Sequence, residues 1–243
     1  MDMQIVIEDT YQQLSETAAN IYIEQVKRNP SSVMCSPVGQ TSAGMYERIC
    51  WYKHHEAIDF SRLHVFNMDE YVGLDENNRH SFNYSLNQSL YNPLKIKEEQ
   101  IHRLQLIDPT ETESLKQYDE AIASTGGFDL LMLGIGSDGH IAFNMPAATF
   151  ETETHIQQLS NQTIKDNTRF FDAEEMVPHM AVTIGMRAVL TAKKVVLLVS
   201  GKHKAEAYNL LMRNGVVDPR VPASILWLHP DVTVLVERDV LSV

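Results

Sequence analysis

The chain has 243 residues, 44% of them hydrophobic and 21% charged, which is the composition of a globular protein with one sizeable core. Its net charge of −12 argues against a nucleic-acid or membrane-surface partner, because no basic field attracts phosphate polymers. Cys35 and Cys50 form no C-x-x-C pair, the N-terminus is acidic where an export signal is basic, and no apolar run reaches the roughly 18 residues of a membrane span. The sequence predicts a cytoplasmic protein with a small-molecule partner.

Helical and strand-like patterns alternate along the chain. The first half predicts, in order, a helix in "DTYQQLSETAANIYIEQVKR", a strand in "SSVMCSPV", a helix in "TSAGMYERICWY", a strand in "RLHVFNM" and a helix in "SFNYSLNQSLY". A capping-box pattern at Thr110 and Glu113 then predicts the start of a helix ahead of the buried strand "FDLLMLG". The second half predicts the helix "TIGMRAVL", the strand "KKVVLLVSG", the helix "KHKAEAYNLLM" and the strands "SILWLH" and "VTVLVE".

This alternation predicts an α/β fold. We expect a doubly wound, mostly parallel, Rossmann-like sheet with helices on both faces, which makes three layers. No linker, internal repeat, low-complexity segment or shift in composition divides the chain. Residues 1–243 are therefore expected to form a single domain.

Four polar clusters follow candidate strands. They are "SPVGQTS", "NMDEYVG", "GIGSDGH" and "SGKHKAE". In open α/β sheets, ligands bind outside the carboxyl ends of the strands, so the sequence predicts one shared site built from four loops. Outside these clusters, the adjacent His54 and His55 lack a third ligand at a metal-like spacing, and no metal site is expected.

The third cluster matches the G-x-G-x-x-G pattern of dinucleotide-binding loops at Gly134, Gly136 and Gly139. That pattern needs a long helix after the third glycine and an acidic residue about 20 positions further on. Here Pro146 interrupts any helix that begins at Gly139, and Glu151 comes too early. We therefore interpret the glycines as a tight turn, and no nucleotide cofactor is expected.

Two stretches carry candidate acid/base residues. Asp138 and His140 lie two positions apart, close enough for the carboxylate to orient the imidazole. Asp69, followed by Glu70, comes directly after an apolar run, where partial burial would adjust the pKa of a carboxyl group for proton transfer. The alternatives are a turn capped by Asp138 beside a half-buried histidine, and a solvated Asp-Glu turn.

Other residues suit a phosphate. Gly39, Gln40 and Thr41 precede a helix whose first N–H groups can bind an anion, although Thr41 could equally be an ordinary N-cap. Lys204 lies in the first turn of a helix, where it opposes the helix dipole unless an anion binds there. Arg169 is a second cation that two following phenylalanines would hold against the core, the alternative being a surface arginine beside a buried aromatic pair.

Together, these motifs resemble the glucosamine-6-phosphate deaminase/isomerase family, within a broader group that includes the 6-phosphogluconolactonases. "FNMDEYVGL", "GIGSDGHIAFN", "TRFFD", "VPHMAVTIGM" and "SGKHKAEA" occur in the order typical of the family and span nearly the whole chain. The pairing of "NMDEYVG" with "GxGxDGHIAFN" is the most specific part, since the lactonases lack the first of these motifs.

The resemblance implies a hydrolase or isomerase of amino-sugar catabolism, which converts glucosamine 6-phosphate and water to fructose 6-phosphate and ammonia. Asp69 would move a proton between C2 and C1 of the open-chain sugar, through an enolamine-like intermediate. His140, with Asp138 as its partner, would open the ring by giving a proton to the ring oxygen. The family uses no metal or organic cofactor.

The resemblance also implies the binding residues. Gly134 would lie against the sugar. The 6-phosphate would be held by one turn and two cations, namely Gly39, Gln40, Thr41, Arg169 and Lys204.

Two positions depart from the family pattern. The first loop of the family usually reads P-T-G-G-T-P, and here Gln40 replaces the second glycine and adds bulk beside the ligand. The pattern H-I-x-F-N-E-P ends on a glutamate that completes a carboxylate–histidine–carboxylate set, and Met145 occupies its position. Methionine cannot accept the histidine proton, so the orientation of His140 rests on Asp138 alone. Proton-transfer catalysis is worth about 10²–10⁴-fold, which sets the size of a defect in ring opening.

Three alternatives stand beside glucosamine-6-phosphate deamination. An isomerase/deaminase for another sugar phosphate, such as galactosamine 6-phosphate, would make Gln40 and Met145 adaptations. A sugar-phosphate-binding protein with impaired catalysis is favoured by Met145, and a lactonase-like hydrolase is disfavoured by "NMDEYVG". The chain ends without the longer tail of allosterically regulated members, so no such regulation is expected. The sequence leaves open whether the protein is a monomer or a homo-oligomer.

Overall fold

The computed structural model describes residues 3–173, 176–213 and 215–242. Within these ranges the strands are β1 (Gln4–Glu8), β2 (Val33–Ser36), β3 (His64–Asn67), β4 (Asp69–Tyr71), β5 (Ile101–His102), β6 (Leu130–Gly134), β7 (His155–Gln158), β8 (Met180–Thr183), β9 (Val195–Val199) and β10 (Val232–Glu237). The α-helices are α1 (Tyr11–Arg28), α2 (Gln40–His55), α3 (Phe82–Leu86), α4 (Asn92–Leu94), α5 (Glu113–Ser124), α6 (Asn161–Asn167), α7 (Met186–Thr191) and α8 (Ala205–Met212). None of the helices in these ranges combines the length and the apolar character needed to cross a bilayer.

Seven strands form one parallel sheet, in the order β1-β10-β9-β6-β2-β3-β5. From β2 the chain continues outward to β3 and β5 on one side, and from β6 it continues to β9 and β10 on the other. The order therefore reverses between β2 and β6, which is the place where doubly wound sheets bind ligands. The predicted parallel α/β fold is confirmed.

Side chains of the inner strands alternate between two hydrophobic cores, one on each face of the sheet. In β6, Leu131 and Leu133 share a cluster with residues of α5, α7 and α8, whereas Leu130 and Met132 share one with residues of α1 and α2. All four are fully buried, and burial of each such side chain stabilises the fold by about 1.5–3 kcal/mol. Burial on both faces explains the unbroken apolar run in the sequence and confirms the three-layer arrangement.

A second sheet, which the sequence pattern does not predict, joins β4, β8 and β7 in antiparallel pairs. Its first strand, β4, is separated from β3 by one residue and lies at the carboxyl edge of the parallel sheet. β4 has only three residues and β7 has partly exposed side chains, so neither carries the run that predicts a strand. Beside this sheet lies a small group of buried residues, here called the satellite cluster: Tyr71, Phe143, Met145, Leu159, Ile164, Val177 and Ala181.

Two local predictions are wrong. The stretch "SILWLH" is not a strand: all of it but His229, the C-cap, belongs to a 3-10 helix, Pro222–Leu228. Pro222 has no N–H for a sheet ladder, and the N–H of Ala223 donates instead to the carbonyl of Gly139 over 2.9 Å. The predicted capping box also fails, because the hydroxyl of Thr110 donates to Asp108 Oδ1 over 2.7 Å and the helix begins later, at Glu113.

Candidate active site

The four polar clusters lie at the carboxyl ends of four neighbouring strands. These strands are β9, β6, β2 and β3, and each runs directly into its cluster. The reversal of strand order falls in the middle of this set, between β6 and β2. The four loops therefore meet at one edge of the sheet, where the sequence predicts a shared site.

The loop after β6 is a tight turn that presents His140. The N–H of Gly136 donates to the carbonyl of His140 over 2.8 Å, and Gly139 adopts φ +87°, a left-handed value that favours glycine. A Cβ atom at Gly136 would lie 2.2 Å from the imidazole of His140, so a side chain there would displace the ring. A Cβ atom at Gly134 would meet nothing within 4 Å. Gly139 thus permits the turn, Gly136 leaves room for the imidazole, and Gly134 leaves an open space above β6.

Asp138 and His140 form a hydrogen-bonded pair. Asp138 Oδ1 lies 2.6 Å from His140 Nδ1 and also accepts the backbone N–H of His140 over 3.1 Å. Burial acts to raise the pKa of the Asp138 carboxyl, but the hydrogen bonds and charge of His140 outweigh burial and hold that pKa below its usual value. An ionised carboxylate only accepts, so the proton sits on Nδ1 and Nε2 is left to exchange a proton with a ligand.

Asp69 is a buried carboxyl group whose side chain has no hydrogen-bond partner among the described residues. Only 6% of the residue is exposed. Burial, reinforced by the neighbouring Glu70, raises the pKa of the Asp69 carboxyl well above its usual value. Pairing with Thr183 of β8 and a 3.0 Å bond from Asn67 Nδ2 to its carbonyl fix its backbone. Such a group is suited to exchanging a proton with a bound molecule.

Glu70, by contrast, is engaged in holding the fold. Its two carboxylate oxygens accept four N–H bonds of 2.8–3.0 Å, from the backbone of Tyr71, Phe82 and Asn83 and from the Asn83 side chain. Two of these donors are the first N–H groups of α3, so Glu70 caps that helix. Burial raises the pKa of Glu70 to about 7, although the N–H donors act against burial. Asp69 is therefore the one of the two carboxyl groups that is available to a ligand.

The loop after β2 has the backbone geometry of an anion site. Gly39, at φ +152°, is the N-cap of α2, so the alternative that Thr41 is the N-cap is wrong. The first N–H groups of a helix have no partner within it, which leaves those of Gln40 and Thr41 at the helix end. The phenol of Tyr11 donates to the carbonyl of Gln40 over 2.7 Å and accepts the N–H of Gly44 over 2.8 Å. Tyr11 thereby fixes the first turn of α2.

Arg169 and Lys204 bring two positive charges together. Burial, followed by the charge of Arg169, lowers the pKa of the Lys204 ammonium, whereas the nearby Asp166 and Asp138 act in the opposite direction. The guanidinium of Arg169 lies over the ring of Phe170, 4.8 Å from its centre. Phe170 is itself exposed, so it does not hold Arg169 against the core as expected. Two cations held close together suit an anion such as a phosphate.

Met145 lies in the satellite cluster. Only 7% of the residue is exposed, and its sulfur accepts a hydrogen bond from Thr163 Oγ1 over 3.5 Å. The position that carries a glutamate in the family pattern therefore contributes packing in this chain. Within the described ranges, the imidazole of His140 has Asp138 as its carboxylate partner.

Further residues that the sequence did not single out shape the site. Asn144 Nδ2 donates to two backbone carbonyls, over 3.2 and 2.9 Å, and so fixes the loop after His140. Asn167 Nδ2 donates to the Tyr71 phenol over 2.8 Å, and Ser137 Oγ donates to Asp166 Oδ2 over 3.1 Å. Asn144 and Tyr71 fall inside the motifs that resemble the family, and this resemblance could have pointed to them. Nothing in the local sequence pattern marks Asp166.

A mostly apolar groove of about 850 Å³ lies elsewhere, between α5 and α7. Its described lining includes Leu115, Ile122, Ile156 and Ala188, and it contains no residue of the four loops. The carboxylate–histidine pair and the buried carboxyl group with the raised pKa are at the carboxyl edge of the sheet, so we place the candidate site there. Among the residues for which the structure has coordinates to describe, no three His, Cys, Asp or Glu side chains gather closely enough to hold a metal ion.

The fold and the site define an α/β protein with acid/base groups and a candidate anion site at the carboxyl edge of a parallel sheet. The model of the family described as glucosamine-6-phosphate isomerases/6-phosphogluconolactonase matches residues 7–235. The chain belongs to this family, which confirms the resemblance seen in its motifs.

Individual relatives match over the full length. A glucosamine-6-phosphate deaminase of Thermoanaerobacter pseudethanolicus is 41% identical over 241 residues, which cover 99% of this chain and 94% of the relative. One of Clostridium botulinum is 39% identical over 241 residues, covering 99% and 98%. Among solved structures, a monomeric glucosamine-6-phosphate deaminase matches with a TM-score of 0.94 and 34% identity over 99% of both chains. A 6-phosphogluconolactonase from Trypanosoma cruzi, at 19% identity, shares the fold with a TM-score of 0.80 over 99% of this chain and 96% of that one.

Proposed function

We propose that this chain converts glucosamine 6-phosphate and water to fructose 6-phosphate and ammonia, by an aldose–ketose isomerisation coupled to deamination. Family membership and the named activity of full-length relatives support this. The observation that carries the proposal is the meeting of a buried carboxyl group, a carboxylate–histidine pair and a cation pair at one edge of the sheet: Asp69, Asp138, His140, Arg169 and Lys204.

The 6-phosphate is the proposed anchor of the substrate. Arg169 and Lys204 supply positive charge, and the N–H groups at the start of α2 supply further donors. The sugar would then occupy the open space at Gly134. Gln40 stands where the family has glycine, and the hydrogen bond from Tyr11 to its carbonyl fixes the backbone of this loop.

His140 is the proposed acid that opens the sugar ring. Its Nδ1 is occupied by Asp138, so Nε2 is the nitrogen that gives a proton to the ring oxygen. The ionised Asp138 keeps the imidazole in one orientation for the transfer. The glycine turn holds the ring where Gly136 leaves room for it.

Asp69 is the proposed base that moves a proton from C2 to C1 of the open-chain sugar. Removal of the C2 proton gives an enolamine-like intermediate, and return of the proton to C1 gives an imine at C2. Water adds to C2 and ammonia leaves, so that the ketone forms. The raised pKa of Asp69 suits this role, because the same carboxyl must first take the proton and then release it.

The surroundings of Met145 favour a second candidate, a sugar-phosphate-binding protein with slow ring opening. The residue is buried in the satellite cluster and bonded to Thr163, so it supplies no acid to the reaction. In the described part of the chain, Met145 makes no hydrogen bond to the cation pair or to Asp69, so neither needs an acid at this position. A preference for galactosamine 6-phosphate, the C4 epimer, is the remaining variant of the same chemistry.

The test is to incubate the purified protein separately with glucosamine 6-phosphate and galactosamine 6-phosphate, and to measure ammonia and ketose phosphate. We expect both products from glucosamine 6-phosphate in equal amounts. Faster turnover of the galactosamine compound would change the assigned substrate. Measurable binding of both sugars without turnover of either would overturn the deaminase proposal in favour of the second candidate.

A further inference from the structure

Resting on the phosphate-binding role proposed above for Arg169, we infer that His80 is a positioning residue for that arginine. His80 lies in the loop between β4 and α3 and is 90 positions from Phe170, the residue that it contacts. It does not belong to any motif that resembles the family. Its effect on the site would pass through the backbone next to Arg169.

Arg169 stands on a short turn that has little stability of its own. The turn, Thr168–Phe170, is a single turn of 3-10 helix after α6, and the arginine is exposed. The side chain of Arg169 lies over its exposed neighbour Phe170. The direction of the guanidinium therefore depends on how the backbone of this turn is held by the rest of the molecule.

His80 holds that backbone directly. Its Nδ1 lies 2.7 Å from the carbonyl oxygen of Phe170, and its ring stacks on Phe171 with centres 4.7 Å apart and planes at 17°. Arg79 Nε donates to His80 Nε2 over 3.2 Å, which requires a lone pair on Nε2. The proton is thus on Nδ1, and Nδ1–H donates to the carbonyl of Phe170.

Neighbouring contacts make the turn sensitive to this bond. Asp172, just beyond the turn, forms an ion pair with Arg79, but both side chains are largely exposed, and such pairs contribute little. Phe171 meets Tyr71 edge-on, with ring centres 5.4 Å apart, which fixes the far side of the turn. The bond from His80, whose side chain is only 13% exposed, reaches the backbone of Phe170, the residue that directly follows Arg169.

The experiment compares His80→Phe, which keeps the stacking on Phe171 but loses the donor, with His80→Asn, whose side-chain N–H can replace Nδ1–H. Binding of inorganic phosphate is measured by calorimetry, and kcat and KM are measured with glucosamine 6-phosphate. We expect His80→Phe to weaken phosphate binding and to raise KM by about three- to tenfold, the size of one lost hydrogen bond. We expect kcat of His80→Phe to change less than about twofold, since the acid/base groups are untouched. His80→Asn should restore the phosphate affinity and the KM of the wild type.

His55 offers a matched control. Its Nδ1 lies 2.8 Å from the carbonyl of Trp51, and its ring stacks on Trp51 with centres 4.2 Å apart and planes at 16°. It stands at the last residue of α2, whose 16 residues place it about 24 Å from the helix end that faces the site. His55→Phe loses the same kind of bond and should leave phosphate binding and KM unchanged.

Three results with the variants would overturn the inference. They are unchanged phosphate affinity in His80→Phe, an equal loss in His80→Phe and His55→Phe, or a fall in kcat at constant KM. Failure of the wild type to bind phosphate would also overturn it. Phosphate binding that responds to His80→Phe in a protein without turnover would uphold the positioning role and overturn the deaminase proposal alone.

Discussion

The sulfur of Met145 accepts a hydrogen bond from Thr163 Oγ1 over 3.5 Å, so the loop that carries His140 is joined to α6. The same hydroxyl lies 2.9 Å from Ser160 Oγ, at the N-terminus of that helix. α6 leads directly into the turn with Arg169. Position 145 therefore links the proposed ring-opening residue to the proposed phosphate site by packing.

Met145→Glu is expected to destabilise the protein by about 2–4 kcal/mol at pH 8, because the new carboxyl enters an apolar cluster with one hydroxyl donor. Burial would raise the folded-state pKa of this carboxyl, so its cost is smallest below its unfolded pKa and grows as pH rises. Denaturant unfolding at pH 5 and pH 8 measures the difference. Met145→Leu, which keeps the volume, should cost less than about 1.5 kcal/mol. A glutamate variant that is as stable as the wild type and faster in turnover would instead make position 145 catalytic.

Asp69→Asn is expected to reduce exchange of the C1 and C2 protons of the sugar with solvent by about 10²–10⁴-fold, since an amide cannot accept the proton. Affinity for inorganic phosphate should not change, because the cation pair is intact. Exchange in deuterated buffer followed by NMR is the measurement. Persistent exchange in the variant would assign the base to another residue.

The acid limb of the pH profile of kcat/KM is expected at a pH well above the usual pKa of an aspartate. The base must be ionised, and the pKa of Asp69 is raised, so kcat/KM should fall as pH decreases through that raised value. Asp138 has a lowered pKa and stays ionised over this range. Affinity for inorganic phosphate, measured over the same pH range, corrects for ionisation of the phosphate. A limb near pH 4 would argue against Asp69 as the base.

Gly136→Ala and Gly134→Ala are expected to act on different kinetic constants. The methyl group at Gly136 would displace the imidazole of His140, and a misplacement of about 1 Å can lower kcat by about 10²-fold. The methyl group at Gly134 meets no protein atom within 4 Å, so it should raise KM by occupying the space of the sugar, without loss of stability. Steady-state kinetics and thermal unfolding of both variants test this. Equal effects on kcat would contradict the assignment of the open space to the substrate.

The parallel sheet could be predicted because its inner strands are buried on both faces. Continuous apolar runs such as Leu130–Leu133 leave a clear signal, and polar residues mark where each strand ends. β1 could not be predicted in this way, because it is an edge strand with partly exposed side chains. β4 and β7 owe their existence to pairing with β8, and that pairing depends on contacts that no local pattern encodes.

The candidate site was predictable where its interacting residues lie close together in the sequence. Asp138 and His140 are two residues apart, and the structure joins them by a hydrogen bond. The sequence could not show that Glu70 caps a helix while the side chain of Asp69 stays without a partner among the residues that the structure describes, because donors to Glu70 come from α3. The contact between His80 and the turn of Arg169 likewise depends on folding across 90 positions.

The pairing of β1 with β10 bears on how the chain reaches its native state. Gln4 pairs with Thr233, 229 positions further on, so this pairing joins strands that are far apart in the sequence. Contacts of such long range form late, because a large loop must close before they stabilise anything. We expect amide protection in β1 to appear no earlier than in β10 during refolding, and earlier protection in pulsed hydrogen exchange would contradict this. Until β1 pairs with it, the outer edge of β10 is open, so the refolding protein is exposed to edge-to-edge aggregation during that interval.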